Sequence, residues 1–428
     1  MQRRSFLKVV SGLGLASTLP IGLVRPAFGA TPTRFLITIS ASGGWDPTSL
    51  MDPKGNALRA DGLGPINNYS SSQIKTIGNL RYAAYPDTVT PPDIGSAGHL
   101  DTFFAKHYQR LRVINGIDTQ TNGHESGQRF VWSGRLETGY PSVAALAAAP
   151  FAEQPMAFIS NGGYDYTAAL VAPVRTAAAS TFSSLAYPNS QFPNVPSLVS
   201  AGYLSSHTYA AVQLARAQRL TSQRLTQTLP KRAQQLAQLE TVRNSGVSLD
   251  GLLNYLPEVV SDGLKGQAEV AIAAFVSGLA VSATLNVGGF DTHADHDQDQ
   301  SAALTTLLEG VDHLWEQIEL HGMQNQVTVV IGSDFGRTPF YNSAVGKDHW
   351  NITSVMAMGA GITGNVLIGE TDANFEAMKV DPNTLLPHSA GLTVTPKHLH
   401  RALRDFIGVP SELDAQFPLA VEALALFA

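Results

Sequence analysis

The 428-residue chain contains no cysteine, and only 14% of its residues are charged. The absence of cysteine excludes disulfide frameworks, cysteine-type zinc sites and thiol nucleophiles. Any catalytic or metal-binding side chain must therefore be Ser, Thr, Asp, Glu or His. Basic residues are not in excess, with 28 Lys and Arg against 34 Asp and Glu, which argues against nucleic acid binding. The length and the 44% of hydrophobic residues predict a globular chain, either two domains or one large domain with insertions.

The first 30 residues predict an export signal. The run Arg3-Arg4-Ser5-Phe6-Leu7-Lys8 precedes an apolar stretch at 6–24, and small residues follow at 27–30. This order resembles the bacterial twin-arginine signal, so we expect the twin-arginine translocase as a partner and a periplasmic or secreted location. A retained membrane anchor is the alternative, although glycine and proline interrupt the apolar stretch. No later segment predicts a transmembrane span.

The mature chain, residues 31–428, has the alternation of an α/β domain. We predict helix 264–279, strand 282–287, helix 302–322 and strand 327–332 in succession. Strands that alternate with helices are typical of a mostly parallel sheet covered by helices.

Three predicted strands are each followed by an acidic residue. Asp46 follows strand 34–40, whereas Asp291 and Asp334 follow the two later strands. Because polar clusters in open α/β sheets lie beyond the carboxyl ends of the strands, we expect these three acids to converge.

An inserted helical hairpin rich in basic residues is predicted at about 203–245, with a break at Pro230. A solvated surface is its simplest interpretation, and a partner-binding surface is the alternative.

Histidines accompany the acids. His293 and His296 follow Asp291 closely, and His349 comes directly after Asp348. Crowded carboxylates and imidazoles need a counter-charge, which a divalent cation supplies. Mixed Asp and His ligands suit zinc, manganese or iron, whereas an all-oxygen set suits magnesium or calcium. The alternative for the acids that follow, at 295–299, is the solvated start of a helix.

The next motif carries further candidates. Asp334 is predicted to bind a metal or support a ligand, with a turn cap as the alternative. Arg337 could bind an anionic group, or it could pair with Asp334 or Asp348. The Asp348-His349 pair suggests a histidine oriented by, or acting beside, a carboxylate.

A predicted helix begins near His124. Backbone N–H groups and the helix dipole at such a position can hold an oxyanion. His124 is therefore a candidate for acid–base work, and Ser126 is a candidate nucleophile. The alternative for Ser126 and Thr121 is helix capping, which we favour.

Four motifs in order carry a family resemblance, and they are Gly289-Phe290-Asp291-Thr292-His293, Ser333-Asp334-Phe335-Gly336-Arg337-Thr338-Pro339, Gly346-Lys347-Asp348-His349-Trp350 and Val366-Leu367-Ile368-Gly369-Glu370-Thr371-Asp372. Behind a twin-arginine signal, this order resembles the exported bacterial family known as domain of unknown function fifteen-oh-one. That family is placed in the alkaline-phosphatase-like and sulfatase-like superfamily. The resemblance implies a three-layer α/β/α hydrolase fold with a metal cleft at the strand carboxyl ends.

The resemblance also implies roles for particular residues. Asp46 matches the metal-binding acid after the first strand, Asp291 with His293 or His296 matches a middle pair, and His349 matches a late ligand. Two positions depart from the superfamily. Phe335 follows Asp334 where a histidine is expected, and Gly123-His124 stands where the family commonly has Ser-His.

The leading hypothesis is an exported metal-dependent hydrolase of phosphate or sulfate esters, in which water activated by the metal replaces a nucleophilic side chain. Arg337 would bind the anionic substrate, and His124 would transfer protons. The alternative is a non-catalytic relative that binds a protein partner or an anionic glycan in the cell envelope.

Overall fold

The computed structural model describes residues 34–90, 98–175, 179–244 and 246–427, so the predicted export signal lies outside the described residues. The strands in this part of the chain are β1 (Phe35–Ala41), β2 (Lys75–Ile77), β3 (Leu80–Tyr82), β4 (Leu111–Asp118), β5 (Phe158–Ser160), β6 (Pro173–Val174), β7 (Ser282–Val287), β8 (Val327–Ser333), β9 (Gly336–Arg337), β10 (His349–Trp350), β11 (Ile352–Gly359) and β12 (Val366–Ile368).

The α-helices of the same part of the chain are α1 (Leu100–His107), α2 (His124–Ser133), α3 (Val143–Ala148), α4 (Ala179–Ala186), α5 (Ser206–Thr226), α6 (Pro230–Asn244), α7 (Gly246–Leu253), α8 (Gly263–Val276), α9 (His296–Leu320), α10 (Pro396–Ile407) and α11 (Ser411–Gln416). None of the described helices is both long and apolar enough to cross a bilayer.

Eight strands form the central sheet, in the order β12-β4-β11-β8-β1-β7-β5-β6. β11 is antiparallel to both of its neighbours, and the other pairs in this sheet are parallel. The predicted α/β class with a mostly parallel sheet is therefore confirmed.

Helices cover both faces of this sheet. Alternate side chains of β1 point to opposite sides, so that Ile37 belongs to a core with residues of α8 and α9, whereas Leu36 belongs to a second core with residues of α2 and α10. Every residue of β1 and of β8 is buried, and both strands are mostly apolar in sequence, as expected for strands covered on both faces. The predicted three-layer α/β/α arrangement is confirmed.

The sheet register brings the ends of three strands together. Ala41, the last residue of β1, pairs with Val287 at the end of β7 and with Ser333 at the end of β8. The loops that follow these strands therefore start side by side at one edge of the sheet, and they carry the acids that the sequence predicted to converge.

Candidate metal centre

Three side chains meet at this edge in a small triangle of ligand-type atoms. The Nε2 atoms of His293 and His349 lie 3.0 Å apart. Oδ1 of Asp291 lies 3.0 Å from Nε2 of His293 and 3.3 Å from Nε2 of His349. A tetrahedral ion with bonds of 2.0–2.1 Å would have ligand atoms about 3.4 Å apart. The triangle is therefore close to the size of one face of such a coordination shell.

The other ring nitrogen of each histidine is held by an acceptor. Nδ1 of His293 donates to Oδ1 of Asp348 at 2.8 Å, and Nδ1 of His349 donates to the carbonyl oxygen of Asn122 at 2.6 Å. The hydrogen bond from His293 lowers the pKa of Asp348 below its usual value, which keeps this carboxylate an acceptor. In the neutral imidazoles with the proton on Nδ1, the Nε2 atoms present lone pairs to each other and to Asp291.

Lone pairs that face one another at this distance repel unless a positive charge lies between them. Metal-binding histidines characteristically donate their second ring nitrogen to a carboxylate or a carbonyl oxygen, which is the arrangement found here. The donor set and its supporting hydrogen bonds therefore fit a divalent ion held by Asp291, His293 and His349. His124 is a further candidate ligand, because its ligand atom lies within 4.8 Å of those of Asp291 and His349. The side chains of Asp291 and His293 are about half exposed, at 50% and 47%, so the centre is open to solvent on one side.

His124 lies beside this triangle at the first residue of α2. Its Nε2 is 3.5 Å from Oδ2 of Asp291, the carboxylate oxygen that the other two histidines do not contact. Its Nδ1 donates to Oδ2 of Asp334 at 2.8 Å. Asp334 is buried, and this burial raises the pKa of its carboxyl, although the hydrogen bond and charge of His124 oppose the increase. Asp334 thus contacts His124 rather than the triangle itself.

Phe335 packs against the imidazoles of His124 and His349. Its ring centroid lies 4.9 Å from that of His124 and 4.4 Å from that of His349. Phe335 is buried, so it forms an apolar wall behind the centre and offers no ligand.

Arg337 lies inside the protein beside Asp291. Its side chain is fully buried, and it donates to the carbonyl oxygens of Gly43, Gly44 and Lys347 and, at 2.7 Å, to Oδ1 of Asp291. These contacts assign Arg337 to the support of Asp291, and substrate binding by Arg337 stays a prediction. Burial alone would raise the pKa of Asp291, but the hydrogen bond and charge of Arg337 hold this pKa below its usual value.

Asp46 and His296, predicted as metal ligands, belong to a separate buried cluster. Oδ2 of Asp46 accepts from Nζ of Lys347 at 2.6 Å and from Nε2 of His296 at 3.0 Å, and Oδ1 accepts from the backbone and hydroxyl of Thr48. His296 thus carries its proton on Nε2, the opposite of the histidines in the triangle. The ammonium of Lys347 thus provides a positive charge beside Asp46, and metal binding by Asp46 and His296 stays a prediction.

Ser126 is predicted as a possible nucleophile, but its hydrogen bonds are those of a helix start. Its Oγ donates to the carbonyl oxygen of Gly123 at 2.9 Å and lies 2.6 Å from the hydroxyl of Thr121. Across the described residues, no serine or threonine hydroxyl hydrogen-bonds to His124 or to the three side chains of the centre.

The sequence did not indicate a role for Lys347. It suggested that Asp348 orients His349. Asp348 orients His293 rather than its chain neighbour His349. Lys347 is fully buried, and its backbone N–H donates to the carbonyl oxygen of Thr292. Gly346 allows this close approach, because a Cβ at its position would lie 1.9 Å from the backbone of His293. No composition or periodicity signal identifies contacts of this kind.

The fold and the centre define an α/β protein with a candidate metal site at the strand carboxyl ends. Residues 270–392 match the family described as "Protein of unknown function (DUF1501)". This range contains all four motifs, so the match confirms the family resemblance stated from the sequence. No curated protein matches the chain in sequence.

Several solved structures are similar at low identity. The lipoteichoic acid synthase LtaP from Listeria monocytogenes is 8% identical, with a TM-score of 0.37, 90% of this chain covered and 74% of that chain. A protein in the alkaline phosphatase superfamily from Vibrio parahaemolyticus is 9% identical, with a TM-score of 0.36 and coverages of 96% and 76%. The phosphonate monoester hydrolase of Agrobacterium radiobacter is 10% identical, with a TM-score of 0.33 and coverages of 88% and 74%.

Proposed function

We propose that this protein is a metal-dependent hydrolase of phosphate or sulfate esters that uses water as its nucleophile. The observation that carries the proposal is the triangle of Asp291, His293 and His349, whose lone pairs converge within 3.0–3.3 Å. The resemblance to the alkaline-phosphatase-like superfamily supports the reaction class.

The donor set narrows the choice of metal among zinc, manganese, magnesium and calcium. Two imidazole nitrogens and one carboxylate oxygen favour zinc or manganese over magnesium and calcium, which prefer oxygen ligands. A divalent ion held there supplies a Lewis acid for the ester oxygens and lowers the pKa of water.

His124 is the residue of this chain that transfers the proton. Asp334 holds its Nδ1 proton, so Nε2 carries a lone pair beside the open side of the centre. His124 accepts the proton of the attacking water through Nε2 and returns it to the leaving oxygen. Since no serine or threonine hydroxyl hydrogen-bonds to Asp291, His293, His349 or His124 among the described residues, the proposed reaction uses water rather than a covalent serine or threonine intermediate.

Activity measurements with matched variants test the proposal. The full chain, loaded with zinc or manganese, is assayed on aryl phosphate and aryl sulfate esters. We expect metal-dependent turnover that Asp291→Asn abolishes, together with metal binding. His124→Gln should keep the metal and lower kcat by about 10²–10⁴-fold. Ser126→Ala is the matched control and should retain activity, because its hydroxyl bonds only to Thr121 and Gly123.

Two results would contradict this assignment. If the metal-loaded protein hydrolyses both ester classes no faster than Asp291→Asn, the chain is not such a hydrolase, and the non-catalytic alternative that binds a protein partner or an anionic glycan gains support. If His124→Gln loses the metal, His124 is a ligand rather than the acid–base residue.

The proposal includes export through the twin-arginine translocase to the periplasm or the medium. It depends on the run from Arg3 to Lys8, which lies outside the described residues. Replacement of Arg3 and Arg4 by lysine should retain the protein in the cytoplasm, and unchanged export would contradict this part of the proposal.

A further inference from the structure

The hairpin of α5 and α6 presents a long surface to solvent. Residues 227–229 join the two helices, and Leu220 is the buried residue of α5. The helices contact each other through an ion pair of Arg224 with Glu240. Most of the described side chains on α5 are exposed, so this helix contributes little to the core.

Positive charge is concentrated on this hairpin. Residues 206–244 contain six basic residues and one acidic residue, in a chain whose net charge is −6. Arg216, Arg219, Lys231 and Arg232 are exposed, and in the described part of the chain none of these four forms an ion pair. Such a surface attracts an extended anionic partner.

The tip of the hairpin exposes two leucines. Leu225, in the last turn of α5, is 83% exposed, and Leu229, the last residue of the connection, is 52% exposed. Arg224 precedes this pair in the chain, and Lys231 and Arg232 follow it. Leucines at an exposed tip with cations behind them suit a bilayer interface, where the apolar side chains enter the acyl boundary and the cations meet phosphate groups. A soluble polyanion has no apolar region to receive the leucines.

A cleft between the two helices also combines basic and apolar side chains. Arg216, Arg219 and Gln223 line it, with Leu220 and Leu239, and its volume is about 340 Å³. Guanidinium donors over leucine side chains match an anionic headgroup attached to an apolar chain.

We propose that the α5–α6 hairpin docks on an anionic phospholipid bilayer, with Leu225 and Leu229 in the interface and the basic residues on the headgroup phosphates. This surface is separate from the candidate metal centre, and its test does not depend on the proposed hydrolase activity.

Vesicle co-sedimentation tests the charge requirement. The full chain is mixed with phosphatidylcholine vesicles that contain or lack phosphatidylglycerol, and the bound fraction is measured. One basic residue near an anionic surface changes partitioning about fivefold. We therefore expect Arg216→Glu with Arg219→Glu to weaken binding at least about tenfold. A control that reverses the exposed Arg81 and Lys379 makes the same change in net charge and should bind as the wild type does.

A fluorescent probe tests the insertion of the tip. Since the chain has no cysteine, Thr228→Cys and the control Asn383→Cys each provide a unique attachment point. An environment-sensitive probe at position 228 should shift to shorter wavelength when anionic vesicles are added, whereas a probe at position 383 should not. Leu225→Ser with Leu229→Ser should abolish the shift. The N-terminal segment is common to all variants and cannot account for these differences.

Three outcomes would overturn the proposal. Binding could be independent of phosphatidylglycerol or of the two arginines, or a probe at position 228 could remain in water when the protein is bound to vesicles. The third outcome is an oligomer that forms without lipid and that Arg216→Glu with Arg219→Glu dissociates. The last result would identify the hairpin as an interface between copies of this chain.

Discussion

The ammonium of Lys347 donates to Oδ2 of Asp46 at 2.6 Å, and both side chains are fully buried. Lys347 comes directly before Asp348 and His349 in the chain. Its contact with Asp46 therefore holds the loop that provides His349 to the centre and Asp348 as the hydrogen-bond acceptor of His293. Burial would raise the pKa of Asp46, but the charge of Lys347 and the hydrogen bond from His296 hold it below the usual value.

Removal of this ammonium should destabilise the protein strongly. Lys347→Met leaves the carboxylate of Asp46 without its positive partner inside the protein, and we expect a loss of about 3–5 kcal/mol in the free energy of unfolding. The double variant Asp46→Asn with Lys347→Met removes both charges and should recover part of that loss. Denaturant unfolding of the three proteins measures it. A single variant as stable as the wild type would show that the pair does not hold the loop.

Loss of the carboxylate that orients His293 should weaken metal binding without removing a ligand. Asp348→Ala frees Nδ1 of His293, and we expect affinity for zinc to decrease by about 10–100-fold in a titration. Asp299→Ala is a suitable control, since Asp299 is an exposed acid near the same loop. Equal effects of the two substitutions would point to a general loss of negative charge rather than to orientation of His293.

Substitution of Arg337 should weaken metal binding and lower the stability of the protein. Arg337→Lys cannot maintain donors to Asp291 and to the carbonyl oxygens of Gly43 and Gly44 together. We expect a lower melting temperature and weaker zinc binding. If Arg337 contacted the substrate instead, the variant would keep both properties and would change only the dependence of rate on substrate concentration.

The buried residue His400 should make stability depend on pH. Burial lowers the pKa of His400 to about 3, and its Nε2 donates to the carbonyl oxygen of Val131 at 2.8 Å. The unfolded chain takes up this proton near the ordinary pKa of about 6.5, whereas the folded chain does not. His400 therefore favours folding fully above about pH 6.5, and below it stability should decrease by about 1.4 kcal/mol per pH unit until pH approaches the folded pKa.

The variant His400→Gln measures this contribution. Glutamine can still donate to Val131 but does not titrate. Its free energy of unfolding should therefore depend less steeply on pH between about 6.5 and 3 than that of the wild type. Identical pH dependence in the two proteins would exclude His400 as the source.

The sequence was sufficient for the sheet and its acidic edge because these depend on local pattern. β1 and β8 are buried on both faces, so their apolar runs are visible without a structure. The helix after Asp291 begins at His296 rather than near residue 302, so the alternative that the acids at 295–299 start a helix is correct, although part of that first turn is buried rather than solvated. Asp297 is buried there against Tyr341 and Asn68, a partnership that hydrophobic periodicity cannot detect.

The site was only partly predictable for a similar reason. Asp291, His293 and His349 follow strands or lie in the next loop, so their convergence follows from topology. Asp46 also follows a strand, but its side chain pairs with Lys347, which is 301 positions away. A metal and a lysine ammonium satisfy the same electrostatic need, and composition does not distinguish between them.

Metal content tests the central claim most directly. The purified full chain, Asp291→Asn and His349→Gln are each equilibrated with zinc or manganese, freed of excess ion and analysed by elemental mass spectrometry. The account predicts about one bound ion per chain in the wild type and nearly none in either variant, while all three remain folded by circular dichroism. A wild type that binds no ion, or that retains the same amount as the two variants, would contradict it.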